Sequence, residues 1–209
     1  MPGTPRYRGM RRTANRAALL GAAEELFGAR AISSVSVDEI VARAGVAKGT
    51  FYNHFADKED LAAHLAVLIR RSVRDSIAKT KTISSDPAMH LAIAVASFLK
   101  LAREQPNRAL ILITLQDEGV DAGAEINAPL RATLETGQSL GRFSFVDIDT
   151  ALISVLGIVA AAIRVLIRMS ASDQPPPVAG FVAHTLATAC LTNPEDAQAI
   201  ARRAVELVA

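Results

Sequence analysis

Val35–Leu61 reads VSVDEIVARAGVAKGTFYNHFADKEDL, two short helical patterns around a glycine followed by the start of a third. Ser36 precedes the first apolar-periodic residue and Glu39 follows three positions on, the pattern of a capping box in which each residue satisfies the other's N–H. Val37, Ile40 and Val41 share one face at helical spacing. Gly45 then ends the helix, being the residue type that adopts a left-handed C-terminal cap most cheaply. A second helix, about Ala47 to Phe55, follows with almost no connecting chain, and Phe51 and Phe55 give it a core-facing side. Two helices around a glycine-containing turn form a helix-turn-helix.

The chain on either side supports that unit. Leu19, Ala22, Ala23, Leu26 and Phe27 recur at i, i+3, i+4, i+7 and i+8, which predicts a first helix over about Thr13 to Arg30. Residues 1–10 are broken by Pro2, Gly3, Pro5 and Gly9 and read as an unstructured arm. Asp57, with Asp60 three residues later, caps a helix to about Thr80 that leads out of the N-terminal region. Beyond it, Pro and Gly divide the chain into helices over about 87–104, 106–118, 128–140, 178–191 and 195–208, with a long apolar helix of ~22 residues, capped by Asp147 or Asp149 and ending near Met169, between the third and fourth. No alternating strand pattern or internal repeat interrupts them, and the chain reads all-α.

Composition narrows the function. The chain has 209 residues, 50% of them apolar but only 4% aromatic, with a net charge of +2. The charge is uneven: residues 1–60 hold nine Lys/Arg against seven acids, leaving fourteen of each sign in the remainder. Residues 1–16 carry five arginines and no acid, a footprint suited to a phosphate backbone. The lone Cys190 has no internal disulfide partner, which fits a reducing cytoplasm. The longest apolar run, Ala151 to Ile167, is interrupted by Arg164 and falls short of the ~20 residues that span a bilayer, so a buried helix and no membrane partner are expected. His90 and His184 lack metal-site spacing. Nucleophile-elbow, phosphate-loop and zinc-protease motifs are absent, so neither catalysis nor a cofactor or metal is expected.

With these pieces in order, residues 13–61 resemble the DNA-binding domain of the tetracycline-repressor (TetR) family of transcriptional regulators. The resemblance rests on ALLGAAEELF at 18–27, the Ser36–Ile40 cap, Ala44-Gly45-Val46, KGTFYNHF at 48–55, and Lys58-Glu59. It implies an N-terminal three-helix helix-turn-helix domain over 1–57 and a C-terminal helical bundle over 58–209 for ligand binding and dimerisation. The residues expected at DNA are Ser36, Ala47, Lys48, Gly49, Thr50, Tyr52, Asn53, His54 and Lys58. Lys48 and Asn53 can donate to base edges, and Asn can pair bidentately with adenine. Tyr52, His54 and Lys58 are implied at phosphates, which fix position rather than sequence.

The resemblance further implies a regulator, expected to be a repressor, that binds a palindromic double-stranded operator as a homodimer. The helices at 151–167 and 178–191 are apolar nearly all round, and Gly157, Ala160 to Ala162, Ala183 and Ala187 would admit close packing in a four-helix dimer interface. A small-molecule effector, mainly apolar, is expected in the C-terminal domain, lined by Phe98, Leu101, Leu112, Leu115, Gln116, Leu134, Phe143 and Leu156. The rival reading is a helical adaptor or ligand-binding protein that keeps the scaffold without specific DNA binding. Two positions depart from the family pattern. Ala31 stands where glycine usually closes the first helix, and Ala47 stands where Ser or Thr often caps the recognition helix.

Overall fold

A computed structural model describes residues 5–78, 84–117, 127–169, 178–189, 193 and 195–209. Ten α-helices follow one another: α1 (Pro5–Ala29), α2 (Val37–Ala44), α3 (Lys48–Tyr52), α4 (Lys58–Ala78), α5 (Pro87–Glu104), α6 (Pro106–Asp117), α7 (Ala128–Ser139), α8 (Ile148–Met169), α9 (Val178–Thr188) and α10 (Asp196–Val208). A 3-10 turn, Ile32–Ser34, links α1 to α2. The all-α expectation holds among the described residues.

Two boundaries differ from expectation. First, α1 begins at Pro5 rather than near Thr13. Proline suits a helical first turn, where its missing N–H has no bond to lose, and arginine is a good helix former that tolerates the single interior Gly9. The expected arm is therefore largely the first turns of α1. Second, α3 is five residues long, shorter than Ala47 to Phe55. Backbone bonds from His54 and Phe55 to Phe51 O carry the chain round a turn instead of extending the helix.

The termini of the other helices follow the local rules. Asp57 Oδ1 accepts from Asp60 N at 2.7 Å, and Asp60 Oδ2 accepts from Ala56 N at 3.0 Å, fixing the start of α4. Asp86 accepts from Ala88 N at 2.9 Å at the head of α5. Of the two candidates before α8, Asp147 is the cap, accepting from Thr150 N at 2.7 Å. Asp149 pairs with Arg131 of α7.

The core is continuous from the N-terminal helices to the C-terminal ones. Its hub is α5, which packs against α4, α6, α7, α8, α9 and α10 and buries Leu91, Ala92, Val95, Ala96, Leu99 and Ala102. Small residues alternate with large ones there, so neighbouring helices approach from several sides. At one end of the bundle, Arg142 in the α7–α8 turn donates to both carboxylate oxygens of Asp86 and, at 2.9 Å, to Asp196 of α10. One guanidinium thus ties together the heads of α5 and α10, 56 and 54 residues away in sequence.

Two junctions join the N-terminal helices to the bundle. At one, α4 packs on α1, α5 and α6. At the other, Gly28 of α1 lies against Asn107 of α6, so closely that a Cβ would run into the Asn107 side chain. Beside it, Arg108 of α6 pairs with Glu24 of α1 at 3.4 Å. By length and composition, α8 is apolar enough to cross a membrane, with 39% of its most apolar window buried inside the protein.

Phe143 packs against Gly137 of α7, where a Cβ would collide with its ring, and Phe143 is 2% exposed. Overpacking a buried site typically costs ~1–3 kcal/mol. Gly137→Ala should therefore lower the unfolding midpoint by several degrees, since ~1 kcal/mol shifts a chain of this size by about 2–4 °C. Gly49→Ala, at a position with nothing within 4 Å of the added carbon, should leave it unchanged or raise it. Thermal unfolding of both variants checks the pair, and equal shifts would contradict the packing described.

Candidate nucleic-acid interface

The local chemistry of Val35–Leu61 builds a small platform. Ser36 Oγ accepts from Glu39 N at 3.2 Å while Ser36 N donates to the Glu39 carboxylate at 2.9 Å. Arg30, at the end of α1, donates to the same carboxylate at 2.8 Å. The Ser36 backbone N–H, the Arg30 guanidinium and the Ser36 hydroxyl together pull the Glu39 carboxyl down to about 2. A second cross-link, Arg43 to Glu25, fastens α2 to α1. Gly45 closes α2 at φ 66°, ψ 32°, and Val46 N bonds back to Val41 O at 3.1 Å, so α3 starts directly after the turn.

α3 presents two sides. Phe51 is 0% exposed and Phe55, just past the helix, is 2% exposed. Their rings lie 5.9 Å apart. On the opposite side Ala47, Lys48, Gly49, Tyr52 and Asn53 are exposed, with Thr50 and His54 half-buried. Tyr52 is 55% exposed and meets Phe51 edge-on at 5.3 Å. This fixes the ring's base against the core while its hydroxyl faces outward. No side chain caps Ala47, whose φ of −74° and ψ of 150° are those of an ordinary extended residue. Ala31 likewise has φ −55°, so the alanine that stands for glycine there carries no positive-φ strain.

The residues expected at DNA are all exposed or half-buried, and three of them have partners within the protein. Ser36 is exposed but its hydroxyl serves the α2 cap. The Lys58 ammonium donates to Ser33 O and Val35 O, each at 2.9 Å. It bonds one carbonyl within the 3-10 turn and one just after it, and so pins α4 to the entry of α2. An ammonium has three protons, and the Glu59 carboxylate stands 3.9 Å from this one. Lys48 pairs with Asp38 of α2 at 2.8 Å, and that hydrogen bond holds its ammonium above the usual lysine range.

Three neighbours were not singled out from the sequence. Arg12 and Thr13 of α1 are exposed beside His54, and Arg16 of the same helix sits 5.2 Å over the Phe55 ring. The available signal was the spacing: Arg12 and Arg16 lie one turn apart on a helix that begins earlier than expected. Of the eight residues expected around an effector, Leu101, Leu112, Leu134 and Phe143 are buried, and Phe98 and Leu156 are half-buried at the core margin. The side chains of Leu115 and Gln116, like Cys190, lie outside the described residues. His90 is tied to Ser84 O at 2.7 Å, His184 is exposed, and no group of three metal-ligating side chains occurs among the described residues.

Comparison with known proteins decides the family. Residues 19–65 match the model described as bacterial regulatory proteins, tetR family. Residues 86–203, more than half of the chain, match the tetracyclin repressor-like C-terminal domain. The chain belongs to the TetR family of transcriptional regulators. Among the relatives of this TetR-family protein, the Bacillus subtilis HTH-type regulator YdgC is 26% identical over 150 residues, 69% of this chain and 77% of that one. EthR of Mycobacterium tuberculosis is 35% identical over 71 residues, 34% of this chain and 32% of EthR. Among solved structures, RolR in complex with resorcinol aligns with a TM-score of 0.64 at 26% identity, covering 93% of this chain and 96% of that one. A gamma-butyrolactone receptor, an ArpA-like protein, aligns at 0.62 and 22% identity over 94% and 98%.

The Arg30–Glu39–Ser36 network makes a pH prediction. Glu39 has its carboxyl lowered from 4.5 to about 2. A lowered carboxyl pKa contributes stability above the unfolded value that is lost as pH falls through the folded one. Glu39→Gln should therefore lower the unfolding midpoint at neutral pH, and its deficit should shrink between about pH 4.5 and about pH 2. Melting curves across that range test this, and a constant deficit would contradict it.

Proposed function

We propose that this TetR-family regulator acts as a homodimeric repressor on a palindromic operator, with 1–57 as the reading head and 58–209 as the dimerisation and effector domain. The observation that carries the reading is the division of α3: two phenylalanines sealed inward, and Lys48, Gly49, Tyr52 and Asn53 held outward on a helix without slack. In this reading Lys48 leaves Asp38 to meet a base edge, Asn53 reads a second, and Gly49 lets the backbone approach the groove. Thr50, Tyr52, His54 and Lys58 meet phosphates, while Ser36 and Ala47 sit at the contact margin. Repression would follow from occlusion of the promoter. Cytoplasmic residence follows from DNA as the partner.

One head reads few bases, and two related by a two-fold axis read a palindrome. Support for pairing lies on α8. Ile153 is 44% exposed, Ala161 is exposed, and a Cβ on Gly157 between them would meet nothing within 4 Å. A glycine inside a long helix costs ~1 kcal/mol relative to alanine, and nothing within one chain requires it there. Close approach of a second copy would. Exposed Ala187 of α9 extends the same idea, whereas Ala160, Ala162 and Ala183 are buried in the protein's own core. An apolar face that meets a second copy needs no lipid.

An effector among α5, α6, α7 and α8 would act by favouring a state with poor DNA affinity. Phe98 and Leu156 at the core margin, with the buried Leu101, Leu112, Leu134 and Phe143, argue for a small and mainly apolar ligand. Leu115 and Gln116 complete the proposed set. RolR, solved with the small aromatic resorcinol, is consistent with a ligand of that size. The adaptor alternative has no specific observation in its favour.

Sedimentation and duplex binding test this together. The expected result is a dimer at micromolar concentration whose affinity for duplex DNA falls on the order of 10³-fold between ~50 and ~200 mM salt. Gly157→Arg should yield a folded monomer with weakened binding. A monomeric wild type, or salt-insensitive binding, would overturn the proposal.

A further inference from the structure

Beside the recognition helix lies an open hollow of ≈ 330 Å³ lined by Arg12, Thr13 and Arg16 of α1 and by His54. Its basic groups come from two elements that the Phe55 ring holds together: Arg16 lies over that ring at 5.2 Å, and the His54 ring is 6.2 Å from it. Thr13 is anchored through its hydroxyl to Gly9 O at 3.1 Å, keeping the α1 wall in place. The charged groups facing His54 from α1 are Arg12 and Arg16. From α4, His64 packs on Phe55, 5.5 Å ring to ring, with its Nδ1 3.2 Å from the Asp60 carboxylate. From α3, Lys48 is turned away to Asp38. Among these groups no carboxylate balances the two guanidiniums at His54. Burial first, then the charges of Arg12 and Arg16, hold the His54 imidazole below its usual range, so it is neutral near pH 7 in the free protein.

We propose that this hollow seats a backbone phosphate of duplex DNA and that His54 takes up a solvent proton as the phosphate enters, making DNA binding stronger as pH falls. The inference rests on the DNA-binding reading above and adds a proton to it. A phosphodiester is anionic at all relevant pH values. Once seated between Arg12 and Arg16, it offsets part of their positive field at His54 with its negative charge and offers an acceptor to a ring nitrogen. Both effects favour imidazolium. The sign follows. His54 is neutral in both states well above the bound-state value and charged in both well below the free-state value. Between them, binding takes up a proton and affinity rises with acidity, by at most tenfold per pH unit for one proton.

The test uses the full chain and a labelled random-sequence duplex at fixed low salt, with anisotropy measured between about pH 5.5 and pH 8, the range that imidazole spans. Wild type should tighten several-fold towards the acid end, and His54→Asn should flatten that profile, whereas His64→Gln should retain it. Arg12→Ala and Arg16→Ala should each reduce the salt slope by about 1 at every pH. His54→Asn should reduce it at the acid end only. Calorimetry of the wild type in two phosphate-free buffers of different ionisation enthalpy counts the protons directly and needs no variant to fold. Net uptake near pH 6.5 supports the proposal. Zero uptake, or the same pH profile in wild type and His54→Asn, overturns it while leaving the regulator reading intact. Absence of duplex binding at every pH would remove both.

Discussion

A five-residue helix cannot stand by itself in water, because nucleation costs more than so few backbone bonds return. Everything this protein does with DNA depends on what holds α3 in shape, and that is the burial of Phe51 and Phe55. Each aromatic side chain contributes roughly 1.5–3 kcal/mol when fully buried. That outweighs the ~1 kcal/mol forgone by having Ala47 without a capping side chain. The rest of the N-terminal region serves the same end. Leu19, Ala22, Ala23 and Phe27 of α1 supply part of the buried surface. Arg30 and Arg43 fix α2 to α1 through Glu39 and Glu25. Lys58 ties the head of α4 to the carbonyls before α2. Tyr52, Asn53 and Lys48 face outward because the phenylalanines leave them no other direction.

The same dependence explains how a ligand in the bundle could reach the reading head. The head is joined through α4, which α1, α5 and α6 share, and through the seat of Gly28 on Asn107 with Glu24 and Arg108 beside it. The Arg108 Nε is buried without a hydrogen-bond partner within the described residues, so that ion pair is not at its best geometry. Packed helices shift between discrete arrangements rather than deforming smoothly. A displacement of α6 therefore has a direct route to α1, and through α1 to both sides of the helix-turn-helix.

Much of this was legible in the sequence where the determinants are local. The Ser36–Glu39 capping box, the left-handed Gly45, the Asp57–Asp60 start of α4 and the 22 residues of α8 all follow from residues within a turn or two of each other. The outward set on α3 was legible too, because Phe51 and Phe55 announce the inward side. What could not be read was set by distant partners. Lys58 looks like a free phosphate ligand until Ser33 and Val35 are seen beneath it, 25 and 23 residues earlier. Arg142 gives no hint of Asp86 or Asp196. Arg12 fell outside the expected first helix, and so out of register with Arg16 one turn on, because glycine and proline obscured the early start of α1. Ala31 stands where glycine usually closes the helix, yet the 3-10 turn gives it a φ of −55° that any residue adopts.

The central claim is that the exposed side of α3 reads base edges through Lys48 and Asn53 while its flanks only hold the backbone. Selection of bound sequences from a random duplex library measures this directly. Wild type should enrich a two-fold symmetric motif. Asn53→Ala and Lys48→Ala should each change the preferred base at symmetry-related positions, whereas Tyr52→Phe should weaken recovery without changing the motif. Identical motifs from all four proteins, or no symmetric motif from the wild type, would contradict the account.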